Sequence, residues 1–364
     1  MRILVAMSGG VDSSVVAHLL KAEGYEVMGV QFHLWSDPLA PPLAEILPSK
    51  CCNAQTVARA KKVAADLGID LHRLDLSEEF KREVVDPFIE GHRKGLTPNP
   101  CIGCNRTIKF GKLLKLADEL GCEKLATGHY ARIAMMTSDH EHDVGKYLLL
   151  EATDKAKDQS YYLYGLSQEQ LSRILFPLGS LEKKEVFSLA KKFSVPLPEH
   201  YLESQDLCFF PEKEPHDFLD RYIEPKAGDI IDTSGKKRGT HQGLHHFTEG
   251  QRKGLHIGGL KIPLHVVRKD MEKNILIVGS REESLKDKLT AESLQWVSWV
   301  PSETQEHPFE ARIHSLGRRE KGVMTHDGKT MRFMFERPLI GISAGQSIVL
   351  YRGEEIVGGG VISR

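Results

Sequence analysis

The heptapeptide Ser8-Gly9-Gly10-Val11-Asp12-Ser13-Ser14 follows one apolar run, Ile3-Leu4-Val5-Ala6-Met7, and leads into another, Val15-Val16-Ala17-His18-Leu19-Leu20. The first run reads as a buried strand and the second as the opening turns of a helix. A strand, a tight Gly-Gly turn and a helix start make an anion site: the glycines let the backbone approach closely, and the free N–H groups of the helix point at whatever sits there. Ser8, Ser13 and Ser14 add hydroxyls. The bland alternative is a well-capped turn with no ligand. Asp12 fits either beside a bound Mg²⁺ or as a helix cap.

Alternation continues downstream. Val27 to Phe32 reads as a second strand, and Pro38, Pro41, Pro42 and Pro48 mark a loop. Val57, Ala60, Val63, Ala64 and Leu67 form a helical stripe closed by Gly68. Leu71 to Leu76 is a third strand, with Ser77 expected to cap the helix that follows. This order predicts an α/β, Rossmann-like parallel sheet, with ligands at the carboxyl ends of its strands, where the glycine loop lies. Thr97-Pro98-Asn99-Pro100 cannot be helical; Cys101-Ile102-Gly103-Cys104 follows, then a helix through Phe110, Leu113, Leu114, Ala117 and Leu120, stopped by Gly121. Leu125 to Tyr130 reads as a strand entering a ligand-facing turn. Ser167 to Gln170 is a capping box, and Leu181 to Phe193 a further helix. From about Gly228 short β-type runs replace helical periodicity: Leu264–Val267, Ile275–Val278, Gln346–Tyr351 and Ile356–Val357. They predict a small central domain and a β-barrel-like end. The divisions expected are 1–205, 206–280 and 281–364.

At 364 residues two or three domains are natural, and 40% apolar content supplies their cores. A net charge of −1 argues against non-specific polyanion binding but not against local basic patches. No run is long enough for a membrane span, and the chain enters its first strand directly, so the expectation is a cytoplasmic enzyme with no membrane partner. Its six cysteines, at 51, 52, 101, 104, 122 and 208, are then expected to be reduced, and catalytic or metal-binding in role. Cys-x-x-Cys by itself admits zinc, dithiol redox chemistry, a cluster ligand or chance. Cys208, between Leu207 and Phe209, reads equally as a buried apolar cysteine.

The loop lacks the Gly-Lys-Ser/Thr of a Walker sequence and resembles the PP-loop of AMP-forming pyrophosphatases. Taken with Thr97 to Asn105, Ile108 to Gly111, Ala126 to Ala131, Lys157 to Tyr161, Glu203 to Phe210 and Thr248 to Leu255, the chain resembles the tRNA-specific 2-thiouridylases of the MnmA type. The resemblance implies a HUP-type PP-loop domain that uses ATP and Mg²⁺ to adenylate the C2 oxygen of the wobble uridine, position 34, in tRNAs of the Lys, Glu and Gln type. It implies an ATP contact through Ala6, Met7, Ser8, Gly9, Gly10, Val11, Asp12, Ser13, Phe32 and Gly128. A persulfide on Cys208, charged by a donor such as a cysteine desulfurase or sulfur-relay protein, attacks C2. Cys104 is the partner nucleophile, releasing product or forming a disulfide. Arg106 and Lys109 are placed to lower thiolate pKa values.

By the same analogy the RNA lies against Asn99, Pro100, Cys101, His129, Lys157, Asp158, Gln159 and Gln346. Basic groups at Arg106/Lys109/Lys112/Lys115, Lys236–Arg238 and Arg318–Arg319 are candidates for phosphate contact or, equally, a solvated surface. Many relatives carry aspartate where Cys101 stands. Cys101, Cys104 and Cys208 together are what would hold a [4Fe–4S] cluster with one iron open, and the reading leans that way. Two rivals remain: a PP-loop ligase acting on a small metabolite, and a zinc-stabilised RNA-binding module. The first leaves the cysteines unused, the second the PP-loop.

Overall fold

The computed structural model describes residues 1–40, 54–136, 145–196, 207–210, 212, 214–258 and 262–363. Cys51, Cys52, most of the proline loop and Glu203 to Asp206 lie outside the described residues.

Ile3, Leu4 and Val5 are wholly buried, as an apolar run flanked on both faces by helices must be. They belong to β1 (Arg2–Ala6), which pairs in parallel with β2 (Glu26–His33) on one side and β4 (Lys124–Ala126) on the other. β3 (Leu71–Asp75) and β7 (Ile174–Leu175) complete a five-stranded parallel sheet of order β3-β2-β1-β4-β7. The order reverses at β1. Its carboxyl end is therefore the switch point at which open α/β sheets take ligands, and the glycine loop leaves from it.

Between β4 and β7 the chain makes a hairpin, β5 (Ala131–Met135) and β6 (Tyr147–Glu151), which leaves the parallel sheet altogether. A four-stranded sheet follows, β10-β11-β8-β9, built from β8 (Gly228–Asp232), β9 (Lys237–His241), β10 (His265–Asp270) and β11 (Ile275–Gly279). Leu244, Phe247, Val266 and Leu276 form its core.

The last six strands are β12 (Lys286–Trp296), β13 (His307–Arg312), β14 (Glu320–His326), β15 (Met331–Leu339), β16 (Ser347–Arg352) and β17 (Glu355–Ile362). They run antiparallel in the order β12-β15-β14-β13-β16-β17, and β12 pairs with β17 to close a barrel. Closure removes the free edges that an open sheet presents. The layout is the one the sequence predicts, with one addition: β6 joins β17 through Leu150 and Glu355, so a hairpin of the first domain continues the sheet of the last.

At this junction Glu151, 1% exposed, is bound by Arg312 at 3.1 Å, by Lys155 at 3.0 Å and by Arg319. The Arg319 guanidinium lies 4.5 Å from the ring centre of Tyr351. Burial pushes the Glu151 carboxyl up, but hydrogen bonds from Arg319 and Lys155 outweigh it and hold the pKa below the ordinary 4.5.

Candidate active site

Beyond β1 the sheet spacing persists for one residue, with Met7 donating to Val30 O at 2.8 Å, and then the chain turns. Gly9 has φ +75, and a Cβ there would stand 2.0 Å from Thr56 O, so only glycine fits. Arg59 Nε fixes the turn by donating to Gly9 O at 2.8 Å. Gly10 caps α1 (Val11–Ala22) without a side chain, leaving the first-turn N–H groups open to an anion. The serines brace the loop: Ser13 and Ser14 hydroxyls donate to Gly10 O at 3.2 and 2.9 Å, and Gly10 N donates to Ser8 Oγ at 3.3 Å. Gly128 ends the neighbouring strand so tightly that a Cβ would meet Asp12 Cβ at 3.0 Å and Ser13 N at 3.1 Å.

Asp12 is not the helix cap. Its carboxylate accepts two bonds from Lys183 Nζ, at 2.7 and 2.9 Å, and one from the Tyr130 hydroxyl at 3.0 Å. Lys183 is 9% exposed, its ammonium 5.4 and 5.2 Å from the ring centres of Tyr130 and Phe187. Sequence reading misses this residue, yet a signal exists. Lys183 is the first residue of the helix Lys183–Lys192, whose positive dipole end disfavours a cation unless a carboxylate waits nearby.

The sulfur end is built from Asn99 onward. Asn99 caps the short helix Pro100–Gly103, accepting from Cys101 N at 3.2 Å, and the helix widens through Cys104–Lys112. Cys101 and Cys104, three residues apart, lie on one side of that turn. Cys104 is buried in a cluster with Phe80, Phe88, Ile108, Phe209, Phe210 and Phe218, and Cys208 and Phe32 pack at its border. Two thiols 104 positions apart in the chain are thus brought to one apolar wall, beside the end of β2. Cys101 is half-buried toward Tyr162, whose phenol is pushed up by burial, with Ser315 opposing and the thiol adding a smaller push. Cys101, Cys104, Cys122 and Cys208 are all thiols rather than disulfides.

The residues expected at the RNA divide. Thr97 to Pro100 is held from the barrel: Gln346 Nε2 donates to Thr97 O at 2.7 Å, and Thr97 N donates to Ala344 O at 2.8 Å. His129 is half-buried between Phe110 and Phe176, bonded to Thr127 Oγ1 at 2.7 Å, and held neutral by burial and by Lys109. Asp158 is 5% exposed and accepts from Ala152 N, Ser160 N and Ser160 Oγ, with Arg312 at 3.3 Å. It serves the junction with the barrel. Gln159 braces Tyr130 through backbone and side chain, while Lys157 lies in the turn Asp154–Lys157. Among the basic groups, Lys112 meets Glu79, Lys237 meets Asp229, Arg238 meets Asp232 and Arg319 meets Glu151. A different basic surface, scattered over several strands, leaves no run in the sequence. Arg268, Lys286, Lys288 and Arg332 line a groove of about 870 Å³ between the central sheet and the barrel.

Comparison with known proteins follows this geometry. Three family models match in tandem: the tRNA methyl transferase HUP domain over 1–212, the tRNA methyl transferase PRC-barrel domain over 216–280, and the aminomethyltransferase beta-barrel domain over 286–362. A tRNA-specific 2-thiouridylase MnmA of Caldanaerobacter subterraneus subsp. tengcongensis is 41% identical across 100% of this chain and 98% of its own. The chain belongs to the MnmA family. MnmA proteins of Halothermothrix orenii and Carboxydothermus hydrogenoformans are likewise each 41% identical, over 99% and 100% of this chain and 98% of theirs. A solved U34-tRNA thiolase, NcsA from Methanococcus maripaludis with its [4Fe-4S] cluster, aligns at TM-score 0.33 and 17% identity, over 57% of this chain and 61% of that one. At that score it lends nothing to the cluster question.

The MnmA-family cysteines can be tested against a metal on their own geometry. Among the described residues, Cys101, Cys104 and Cys208 do not come together as a trio of donors within 4.8 Å. Thiolates about 2.3 Å from one zinc ion would stand about 4 Å apart, so this arrangement does not suit mononuclear zinc. An iron–sulfur cluster binds each thiolate to a different iron and so spaces them more widely than a single ion does.

Proposed function

We propose that this MnmA-family chain replaces the C2 oxygen of uridine 34 in tRNA with sulfur, using ATP. The reading rests above all on one observation: Cys104 lies in the apolar cluster against which both Cys208 and Phe32 pack, and Phe32 lies at the end of the strand beside a PP-loop whose Asp12 is matched to Lys183. A small-metabolite ligase has no use for those thiols. The C2 oxygen is amide-like and leaves poorly. Attack by that oxygen on the α-phosphorus expels pyrophosphate and turns it into part of AMP, a good leaving group. The first-turn N–H groups of α1 hold the phosphates. Lys183 neutralises charge gathering on the departing pyrophosphate, and Asp12 orients Lys183 or accepts Mg²⁺.

Sulfur then attacks C2 and AMP departs. Where Cys208 carries the sulfur as a persulfide, Cys104 breaks the resulting S–S bond. The electron pair goes to the sulfur on C2, and a Cys104–Cys208 disulfide is left for a reductant. In the alternative route Cys101, Cys104 and Cys208 would hold a [4Fe–4S] cluster, which when bound would carry an extra sulfide, delivered by a donor, for the attack on C2. In this reading residues 1–205 together with Cys208 carry the chemistry, and the rest of 206–280 with 281–364 holds the RNA along the basic groove, which suits phosphate contacts.

The test is pyrophosphate and AMP release from α-labelled ATP, with and without a tRNA bearing U34, together with retardation of the product in a mercury-containing gel. Release stimulated by U34 tRNA and not by a C34 variant is expected. Release stimulated by a small metabolite without RNA would sink the reading in favour of a ligase.

A further inference from the structure

Among the described residues outside the nucleotide and sulfur sites, one cluster brings three metal-ligating side chains together. Asp220 Oδ1 lies 2.7 Å from His245 Nε2 and 2.7 Å from His246 Nε2, and the three atoms are mutually within 4.8 Å. We propose that Asp220, His245 and His246 bind a divalent transition-metal ion of the zinc or cobalt type, tying the segment after Cys208 to the central sheet.

Each ligand sits next to an anchored residue. Asp220 ends the helix Pro215–Leu219, whose Phe218 and Leu219 are wholly buried in the aromatic cluster that Cys208 borders. His245 and His246 lie between Leu244 and Phe247, both in the core of the central sheet. The His245 ring is further fixed by Gly243, where a Cβ would stand 2.6 Å from its Cε1. Ligands so held need little ordering on binding. Their neighbour Arg221 turns away to Asp37 and Glu212, leaving Asp220 to the histidines.

The donor set is chemically apt. Both histidines present Nε2 to the same carboxylate oxygen, each at 2.7 Å. Neutral imidazole is the form that binds metal. His92 is 6% exposed and its Nδ1 has no hydrogen-bond partner. Two imidazoles and one carboxylate suit zinc, cobalt or nickel, while magnesium and calcium prefer all-oxygen sites. Ligand atoms about 2.1 Å from a shared tetrahedral ion stand about 3.4 Å apart, so the two contacts must open by under about 1 Å. Three protein ligands leave a fourth position for water or for His216, whose ring lies 5.2 Å from that of His246.

Anaerobic titration of the reduced full-length protein with Co²⁺ tests the site. One ion per chain is expected, with visible ligand-field bands from nitrogen and oxygen ligands and without the near-ultraviolet charge-transfer band of a cobalt thiolate. Asp220→Asn and His246→Ala should each weaken binding about a hundredfold or more, beyond what loss of an outer-sphere partner costs. Cys104→Ser with Cys208→Ser should leave it unchanged. Co²⁺ should also raise the melting temperature of the parent and not of the Asp220 and His246 variants, which still melt cooperatively. Absence of stoichiometric binding, a thiolate-type spectrum alone, or equal affinity in the variants would overturn the proposal.

Discussion

Lys183 Nζ reaches both carboxylate oxygens of Asp12, at 2.7 and 2.9 Å, from 171 residues further along the chain. The pair joins the first turn of α1 to the first turn of a later helix. Lys183→Met is expected to lower tRNA-stimulated pyrophosphate release by about 10² to 10³, the usual effect of deleting one charge-stabilising donor. Affinity for tRNA should be unchanged. A variant that releases pyrophosphate at the parent rate would make Lys183 a structural partner of Asp12 only.

The sulfur step separates from adenylation. Cys104→Ser and Cys208→Ser should each abolish 2-thiouridine formation while pyrophosphate release continues, since neither thiol touches the phosphates. Loss of both activities together would move the cysteines into the nucleotide site.

Cys101 is the residue that divides the two sulfur routes. Protein prepared without oxygen is expected to carry about four iron and four sulfide per chain, the content of one [4Fe–4S] unit. Cys101→Asp, which swaps a thiolate for a harder oxygen ligand, should lose iron and thiolation together. Removing the iron from the parent should have the same effect. Iron-free protein that thiolates tRNA from a persulfide donor would decide for the two-thiol route.

RNA affinity should fall steeply with salt, because each phosphate contact releases counterions. Lys288→Ala and Arg332→Ala, in the groove between central sheet and barrel, should each reduce the slope of log K against log salt by about one. ATP affinity should not change. An unaltered slope in both variants would remove the groove from the RNA path.

Glu151→Gln removes the buried carboxylate shared by Arg312 and Arg319, leaving Arg312 with Asp158 and Arg319 with the more exposed Glu310, and should cost about 3 kcal/mol of stability. Because the folded pKa of Glu151 lies below its ordinary value, its contribution is complete above about 4.5 and drains away as pH falls through the folded pKa. Asp158 is pushed up by burial and works in the opposite sense. The acid limb is therefore read as the difference between parent and variant melting curves, which should narrow as pH falls below 4.5. A difference that is constant with pH would contradict the assignment.

The centre of the parallel sheet was legible because β1 is an apolar run leading into the glycine loop and β2 is largely apolar, whereas the two-residue edge strand β7 left no pattern to read. Most of the barrel was not. β15 alternates buried Met331, Phe333 and Phe335 with exposed Arg332, Met334 and Glu336, so its charged positions read as turns. The β5–β6 hairpin escaped for a related reason: its partner strand comes more than 200 residues later. At the active site the glycine loop and the cysteines announced themselves by type and spacing. Lys183 did not, since a lysine gains meaning only from what faces it across the fold. Asp158 shows the converse, a residue inside a recognisable motif whose carboxylate is spent on backbone amides and Arg312.

The hairpin that continues the barrel sheet also sets a schedule. Arg132 meets Glu354 at 2.6 Å across 222 residues. At about 5–20 residues per second a ribosome needs on the order of 10 to 40 s to make that stretch. Through most of that interval the nascent first domain holds an open strand edge at Leu150 and a carboxylate at Glu151 whose partners Arg312 and Arg319 have yet to be translated. The first domain can finish its parallel sheet early, but it reaches its final electrostatic state only once the barrel has left the exit tunnel.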